Sequence, residues 1–308
     1  MNKKKNLILL VLVLMTSYAR SQSAASEKKD VFHGKFVEKF KKPTSKYFNL
    51  KLKSAGVDNR YSKSVDSPSE KKTKVMILRI DPEDPAGAGR GPEIISIDFT
   101  HFGSYAVRLK VPDVVNIQPD VGAVVGYFTY HMDNIEGLSE IDIEWLIADP
   151  EIIYIGTWTG PRDSLQRIGR IINLANGGIY NTSYRAGNGR NLPLTGEQNQ
   201  PETIQPIEKY NAASQFYTYG FDWYPDRITW WIIHPNTGKK IVLWDYSGST
   251  PDFTGIPLNH TYYRLNFWHT NNWPVETNQY SIEKPLNHYE VEIDWISYTP
   301  FKKQKNKK

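Results

Sequence analysis

Beyond residue 30, no stretch of this chain keeps an apolar 3.6-residue period for three turns, so long helices are not expected. Short alternating or β-branched and aromatic runs recur instead. They are Val75–Ile80, Ile94–Phe99, Tyr105–Val111, Ala123–Tyr130, Glu140–Leu146, Ile152–Trp158, Tyr217–Trp223, Ile228–Ile233, Lys240–Trp244, Tyr263–Trp268 and Tyr289–Tyr298. Turn chemistry separates them, as in Pro82-Glu83-Asp84-Pro85 and His234-Pro235-Asn236-Thr237-Gly238. Many short strands with polar turns predict an all-β antiparallel sandwich or jelly roll. Residues 159–212, rich in Gly, Asn, Gln and Pro, are too long for a hairpin turn and are expected to form loops over one edge of the sandwich.

The ends read differently. Lys3–Lys5 precede an apolar run from Leu7 to Met15, followed by Thr16-Ser17-Tyr18-Ala19. That is the order of a secretory signal peptide over residues 1–19, and the run is far shorter than the ~20 residues of a membrane-spanning helix. No Cys follows to take a lipid anchor, so a secreted or periplasmic protein without stable membrane insertion is expected. Residues 20–31 read as a flexible segment, 32–301 as one β domain and 302–308 as a lysine-rich tail. The formal charge is +5, but Lys3–Lys5 and the five lysines after Phe301 supply eight positive charges, leaving −3 for residues 20–301. A nucleic-acid partner, which needs basic residues clustered on the fold, is therefore not expected. The absence of Cys removes thiol nucleophiles and Cys-ligated metals. The 9 Trp, 19 Tyr and 12 Phe exceed what an ordinary core uses and suit stacking on flat apolar faces such as those of sugars.

The chemistry concentrates in Glu140-Ile141-Asp142-Ile143-Glu144-Trp145. In a strand, alternate side chains share a face, so Glu140, Asp142 and Glu144 point one way while Ile141, Ile143 and Trp145 point into a core. Carboxylates held together repel and push their pKa values apart, so one can stay protonated while another ionises. Glycoside hydrolysis needs that division: an acid to protonate the leaving oxygen and a carboxylate to attack or activate water. Residues four apart on a flat strand lie ~13 Å apart at Cα, so a retaining pair, with carboxyls about 5–5.5 Å apart, requires a curved sheet. A solvated acidic face is the alternative for the pattern taken alone.

The segment Glu140-Ile141-Asp142-Ile143-Glu144 resembles the E-x-D-x-E signature of glycoside hydrolase family 16, whose members are β-jelly-roll endo-glycanases. Tyr105–Lys110, Gly122–Tyr130, Phe216–Trp223 with Asp226–Trp230, Arg264–Trp268 and Asp294–Tyr298 resemble further strands of that family, in family order. The resemblance implies a β-jelly-roll sandwich of two curved antiparallel sheets with a concave substrate cleft. It implies Glu140 as nucleophile, Glu144 as general acid/base and Asp142 as the acid that orients and tunes them. The unbulged triplet is similar to the lichenase and xyloglucan-transglycosylase branch, which implies a mixed-linkage β-1,3-1,4-glucan or related β-glucan as substrate. Phe128, Tyr130 and Trp158 match aromatic lining positions, Asn266 and Trp268 an Asn-x-Trp facing the scissile sugar, and Glu93 a substrate-contacting Glu. Asp294 matches a position that binds a structural calcium in some members; no cofactor is implied for catalysis. Ile95, Leu138, Gly156 and the long 159–212 segment depart from lichenases, all on the substrate side.

The function expected from the sequence is thus a secreted, retaining endo-β-glycosidase, monomeric, with a polysaccharide as its partner. The alternatives are a transglycosylase, a hydrolase of laminarin, xyloglucan, agar or carrageenan, and a non-catalytic carbohydrate-binding jelly roll.

Overall fold

The computed structural model describes residues 30–50, 57–62, 73–248, 250 and 252–301. The expected signal peptide, most of the 20–31 segment and the lysine-rich tail lie outside the described residues.

Seventeen strands, numbered along the chain, form two antiparallel sheets, and the protein is an all-β jelly-roll sandwich. One sheet holds eight strands: β1 (Phe36–Glu38), β3 (Val57–Ser62), β4 (Thr73–Ile80), β6 (Gly103–Lys110), β13 (Tyr217–Trp223), β14 (Ile228–Ile233), β15 (Lys240–Tyr246) and β17 (Tyr289–Pro300). The other holds nine: β2 (Phe48–Asn49), β5 (Glu93–Ser96), β7 (Ala123–Asp133), β8 (Gly137–Leu146), β9 (Ile152–Gly160), β10 (Gln166–Asn173), β11 (Gly178–Arg185), β12 (Leu192–Pro193) and β16 (Tyr262–His269). Their spatial order is β12-β11-β10-β9-β8-β7-β16-β5-β2, which puts the acidic strand β8 at the centre. A single large core fills the space between the sheets. It takes Ile141, Ile143 and Trp145 from β8, Tyr105, Val107 and Leu109 from β6, and Tyr219, Phe221 and Trp223 from β13, as alternation requires.

Two features fix the acidic strand in depth. Trp145 is fully buried and meets Tyr219 of the facing sheet edge-on at 4.7 Å between ring centroids. Trp230, also from the facing sheet, donates its indole N–H to the backbone carbonyl of Asp142 at 3.1 Å. An inter-sheet hydrogen bond thus reaches the middle residue of the triplet from behind.

The segment 159–212 is not all loop. It contains the hairpin of β10 and β11 and the short β12, which extend the acidic sheet by three strands. The alternation of β10 was hidden because its outward residues are Arg167, Gly169 and Ile171, not a uniform polar row. Its anchor is Arg170, which is 0% exposed. Arg170 donates through Nε to Thr182 Oγ1, through Nη1 to the carbonyls of Pro201 and Leu243, and through Nη2 to Asn199 Oδ1, at 2.6–3.0 Å. Its guanidinium also lies 5.3 Å from the Trp244 ring. One side chain therefore ties the hairpin, the 196–201 turn and the facing sheet together.

Candidate active site

The outer face of the nine-stranded sheet carries the triplet, and the strand register sorts its neighbours into three rows running across the strands. Paired residues of an antiparallel sheet share a face, so each row can be read from the pairing. The first row runs Tyr262, Tyr130, Glu140, Trp158, Arg167, Arg185. The second runs Arg264, Phe128, Asp142, Gly156, Gly169, Ser183. The third runs Glu93, Asn266, Gly126, Glu144, Tyr154, Ile171. Each acid thus has aromatic or amide neighbours on one side and the β9–β11 strands on the other.

Most residues expected from the sequence come together here. Tyr130 flanks Glu140, Phe128 flanks Asp142, and Asn266 lies beyond Gly126 in the row of Glu144. The buried Asn266 Oδ1 has no hydrogen-bond partner, and a Cβ on Gly126 would come within 2.5 Å of it. Glycine at 126 leaves the room that lets the amide reach toward Glu144. Trp268 lies farther along β16 and packs with Val124, Leu146, Ile152 and Tyr154 in a second apolar cluster. Trp273 and Val275, from the segment after β16, cover this cluster, with Trp273 edge-on to Tyr154 at 5.2 Å. The cleft face is therefore walled at its Glu144 end. Glu93 is only 2% exposed and accepts from Arg264 Nη1 at 3.1 Å, so it holds an arginine in the cleft.

Two cationic features escaped the sequence reading. Arg264 shares its face with Asn266 and Trp268, so strand alternation counted back from those two positions also puts it on the cleft face. Its guanidinium stacks on Tyr130 at 4.9 Å and on Tyr262 at 5.8 Å. Arg167 and Arg185, facing each other across β10 and β11, approach the Trp158 ring at 5.4 and 5.0 Å. No local signal in the sequence could have placed them, because their position depends on the hairpin joining this sheet.

The electrostatics of the triplet follow from crowding in a half-buried site. Burial is the largest cause of shift for all three acids. It pushes the Glu140 carboxyl up to about 8, with the Glu144 charge adding and Arg264 opposing. Glu144 is pushed up to about 7, with Arg167 opposing. Asp142 is raised well above the ordinary carboxylate range, with both glutamates adding and Arg167 opposing. Glu140 thus feels the charge of Glu144 although the two lie four residues apart along the strand. The triplet holds protons at neutral pH as a group, and its titration belongs to the group.

At the calcium position implied for Asp294, the carboxylate is paired with an arginine. Asp294 is the extra residue at a bulge in β17, and its carboxylate accepts from Arg108 Nη1 at 2.5 Å. A guanidinium in that place opposes a divalent ion. Among the described residues, no group of three or more His, Asp or Glu side chains is arranged to hold a metal. No helix among them is long and apolar enough to cross a membrane.

No protein-family model matches the chain, and no curated protein matches its sequence. Solved structures do resemble its fold. A prokaryotic β-1,3-1,4-glucanase (lichenase) derived from a mouse hindgut metagenome is 16% identical, over 87% of this chain and 100% of that one, with a TM-score of 0.49. The Bacillus licheniformis β-glucanase is 17% identical over 87% of this chain and 99% of its own, with a TM-score of 0.47. The catalytic domain of an endo-1,3-β-glucanase (laminarinase) from Thermotoga petrophila is 13% identical over 87% and 97%, with a TM-score of 0.47. The chemistry of the site therefore stands on this chain's own residues.

Proposed function

We propose that this protein is a retaining, endo-acting glycoside hydrolase of the family 16 kind, exported from the cytoplasm and acting on a β-glucan or a closely related β-linked glycan. The observation that carries it is the triplet itself. Three acids from one strand face the open side of a sheet and are flanked by rings and an unpartnered amide that suit a sugar.

In this mechanism the substrate lies across the strands over Glu140, Asp142 and Glu144. Burial raises Glu140 (about 8) above Glu144 (about 7) in the free protein, so the reactive form is the one in which the proton sits on Glu144. Glu140, ionised, then attacks the anomeric carbon while Glu144 gives that proton to the leaving oxygen. Water then enters from the Glu144 side, loses a proton to Glu144, and displaces Glu140. Asp142, held neutral by its surroundings, donates a hydrogen bond that stabilises an ionised neighbour, and its strand position is set by Trp230. Arg264 favours the ionised form of Glu140. The buried Asn266 Oδ1 takes a sugar hydroxyl as the partner it lacks within the protein. Phe128 and Tyr130 offer flat faces beside the acids.

Glu140→Gln should abolish turnover of lichenan, because no other group can form the glycosyl-enzyme. Glu144→Gln should impair lichenan far more than an aryl glycoside whose leaving group needs no protonation. Proton NMR at early times should show the β-anomer first, since two inversions give retention. Viscosity should fall faster than reducing ends appear. An α-anomer formed first, or equal losses on both substrates for Glu144→Gln, would overturn the assigned roles.

A further inference from the structure

The β9–β11 side of the cleft contains charge that the hydrolytic mechanism does not use. Arg167 and Arg185 occupy the row of Glu140, two and three strands away from it. Among the described residues neither makes an ion pair with an acid, and the buried Nε of Arg185 has no hydrogen-bond partner. Each depends on the Trp158 ring, which lies 5.4 Å from one guanidinium and 5.0 Å from the other. Like charges held together are unfavourable, and here burial and the neighbouring Arg167 charge lower the pKa of Arg185. Arg167 feels the acids of the triplet only at a distance, and the two arginines side by side carry a cost that a shared anion in contact with both would relieve.

The floor beside them lacks side chains of its own. Gly156 and Gly169 pair across β9 and β10 in the row of Asp142, so two adjacent positions carry no side chain. The Arg167 guanidinium leans over this bare patch, since a Cβ on Gly169 would come within 3.2 Å of its Nη2. A sugar over the row of Asp142 would meet the Arg167 guanidinium where it covers Gly169, with the acids on one side and Trp158 at one end. The net negative charge of the folded body says nothing against this, because screening at physiological salt limits each charge to about 8 Å.

We propose that this subsite recognises an anionic substituent, a carboxylate or a sulfate ester, on the sugar beside the scissile bond, held by Arg167 and Arg185. This rests on the glycosidase reading above and names the chemical class of its substrate. Arg167 also opposes the raised pKa of Asp142 and Glu144, so an anion there would be felt by the acids. Arg185 lies against the Trp158 ring and feels the Arg167 charge, and it is not among the causes of shift for any acid of the triplet.

The test compares one backbone in three forms: lichenan, lichenan oxidised to the uronate at C6, and lichenan sulfated at C6. The wild-type protein should cut one or both anionic forms with a kcat/KM about tenfold above the neutral form, as one charge-assisted pair allows. The uronate and sulfate arms identify the substituent. In Arg185→Gln the ratio of anionic to neutral kcat/KM should fall to about one, while Arg185→Lys should retain part of it. Near-ultraviolet circular dichroism checks that both variants are folded. Cleavage of the neutral form with no advantage for either anionic form overturns the subsite and leaves the glycosidase standing. An anionic preference undiminished in Arg185→Gln also overturns it. Failure to cut any of the three forms overturns both readings.

Discussion

Arg264 illustrates how a residue outside the triplet sets its working pH. It is fixed by the buried Glu93 and by the faces of Tyr130 and Tyr262, and its charge favours the ionised Glu140. Arg264→Met should raise the pKa of Glu140. Because Glu140 must be ionised to attack, the acid limb of the kcat/KM profile should move up by about one pH unit, and Arg264→Lys should move it less. A profile shifted downward, or lowered without a shift, would contradict this. Glu144 gives the matching prediction for stability. Its folded pKa is raised from an ordinary 4.5 to about 7, so folding favours the neutral form. The stability this contributes is complete below about pH 4 and is lost as pH rises through about 7. Glu144→Gln, which is neutral at every pH, should therefore be more stable than wild type at pH 8.5, by about 1–2 kcal/mol after allowance for partial exposure, and equal to it near pH 4. Urea unfolding at the two pH values checks this. Both glutamates were legible in the sequence, because a period of two within one strand is a local property.

At the scale of the element, β8 and the β10–β11 hairpin contrast. The acidic strand announced itself through Ile141, Ile143 and Trp145, whose apolar face alternates cleanly with the acids. The hairpin did not, because one of its faces is cleft floor, where Gly169 replaces a side chain, and because its inward face includes the charged Arg170. A fully buried arginine reads locally as surface. Only the carbonyls of Pro201 and Leu243, the Thr182 hydroxyl and the Asn199 amide, brought in from elsewhere, make it a core residue. Arg170→Met should cost about 3 kcal/mol of stability through the carbonyls left unpaired, and Arg170→Lys should restore little of it, because an ammonium cannot match the planar fork. Chemical denaturation measures both, and a neutral effect of either substitution would refute the anchoring role.

For the whole molecule, the last strand completes the sandwich. β17 lies between β6 and β4 in the middle of the eight-stranded sheet and also pairs with β1, so the final described strand joins three formed much earlier in the chain. Ending the chain at His288 would remove that strand and leave β6 and β4 with open edges over an exposed core, and the product should be insoluble. Ending it at Phe301 should leave a soluble, folded protein. Sedimentation after expression distinguishes the two.

The sequence by itself determined the all-β class, most strand positions and the acid triplet, since alternation and turn chemistry act over a few residues. Phe128, Tyr130, Trp158, Asn266, Trp268 and Glu93 came from the family resemblance, position by position, and not from alternation. The tertiary structure alone decided which residues share a row across the cleft. Strand register joins Glu140 to Trp158, Arg167 and Arg185, and it bound Glu93 to Arg264 and Asp294 to Arg108. Charges find partners through space, and the pairing of strands, which no local pattern encodes, sets those distances.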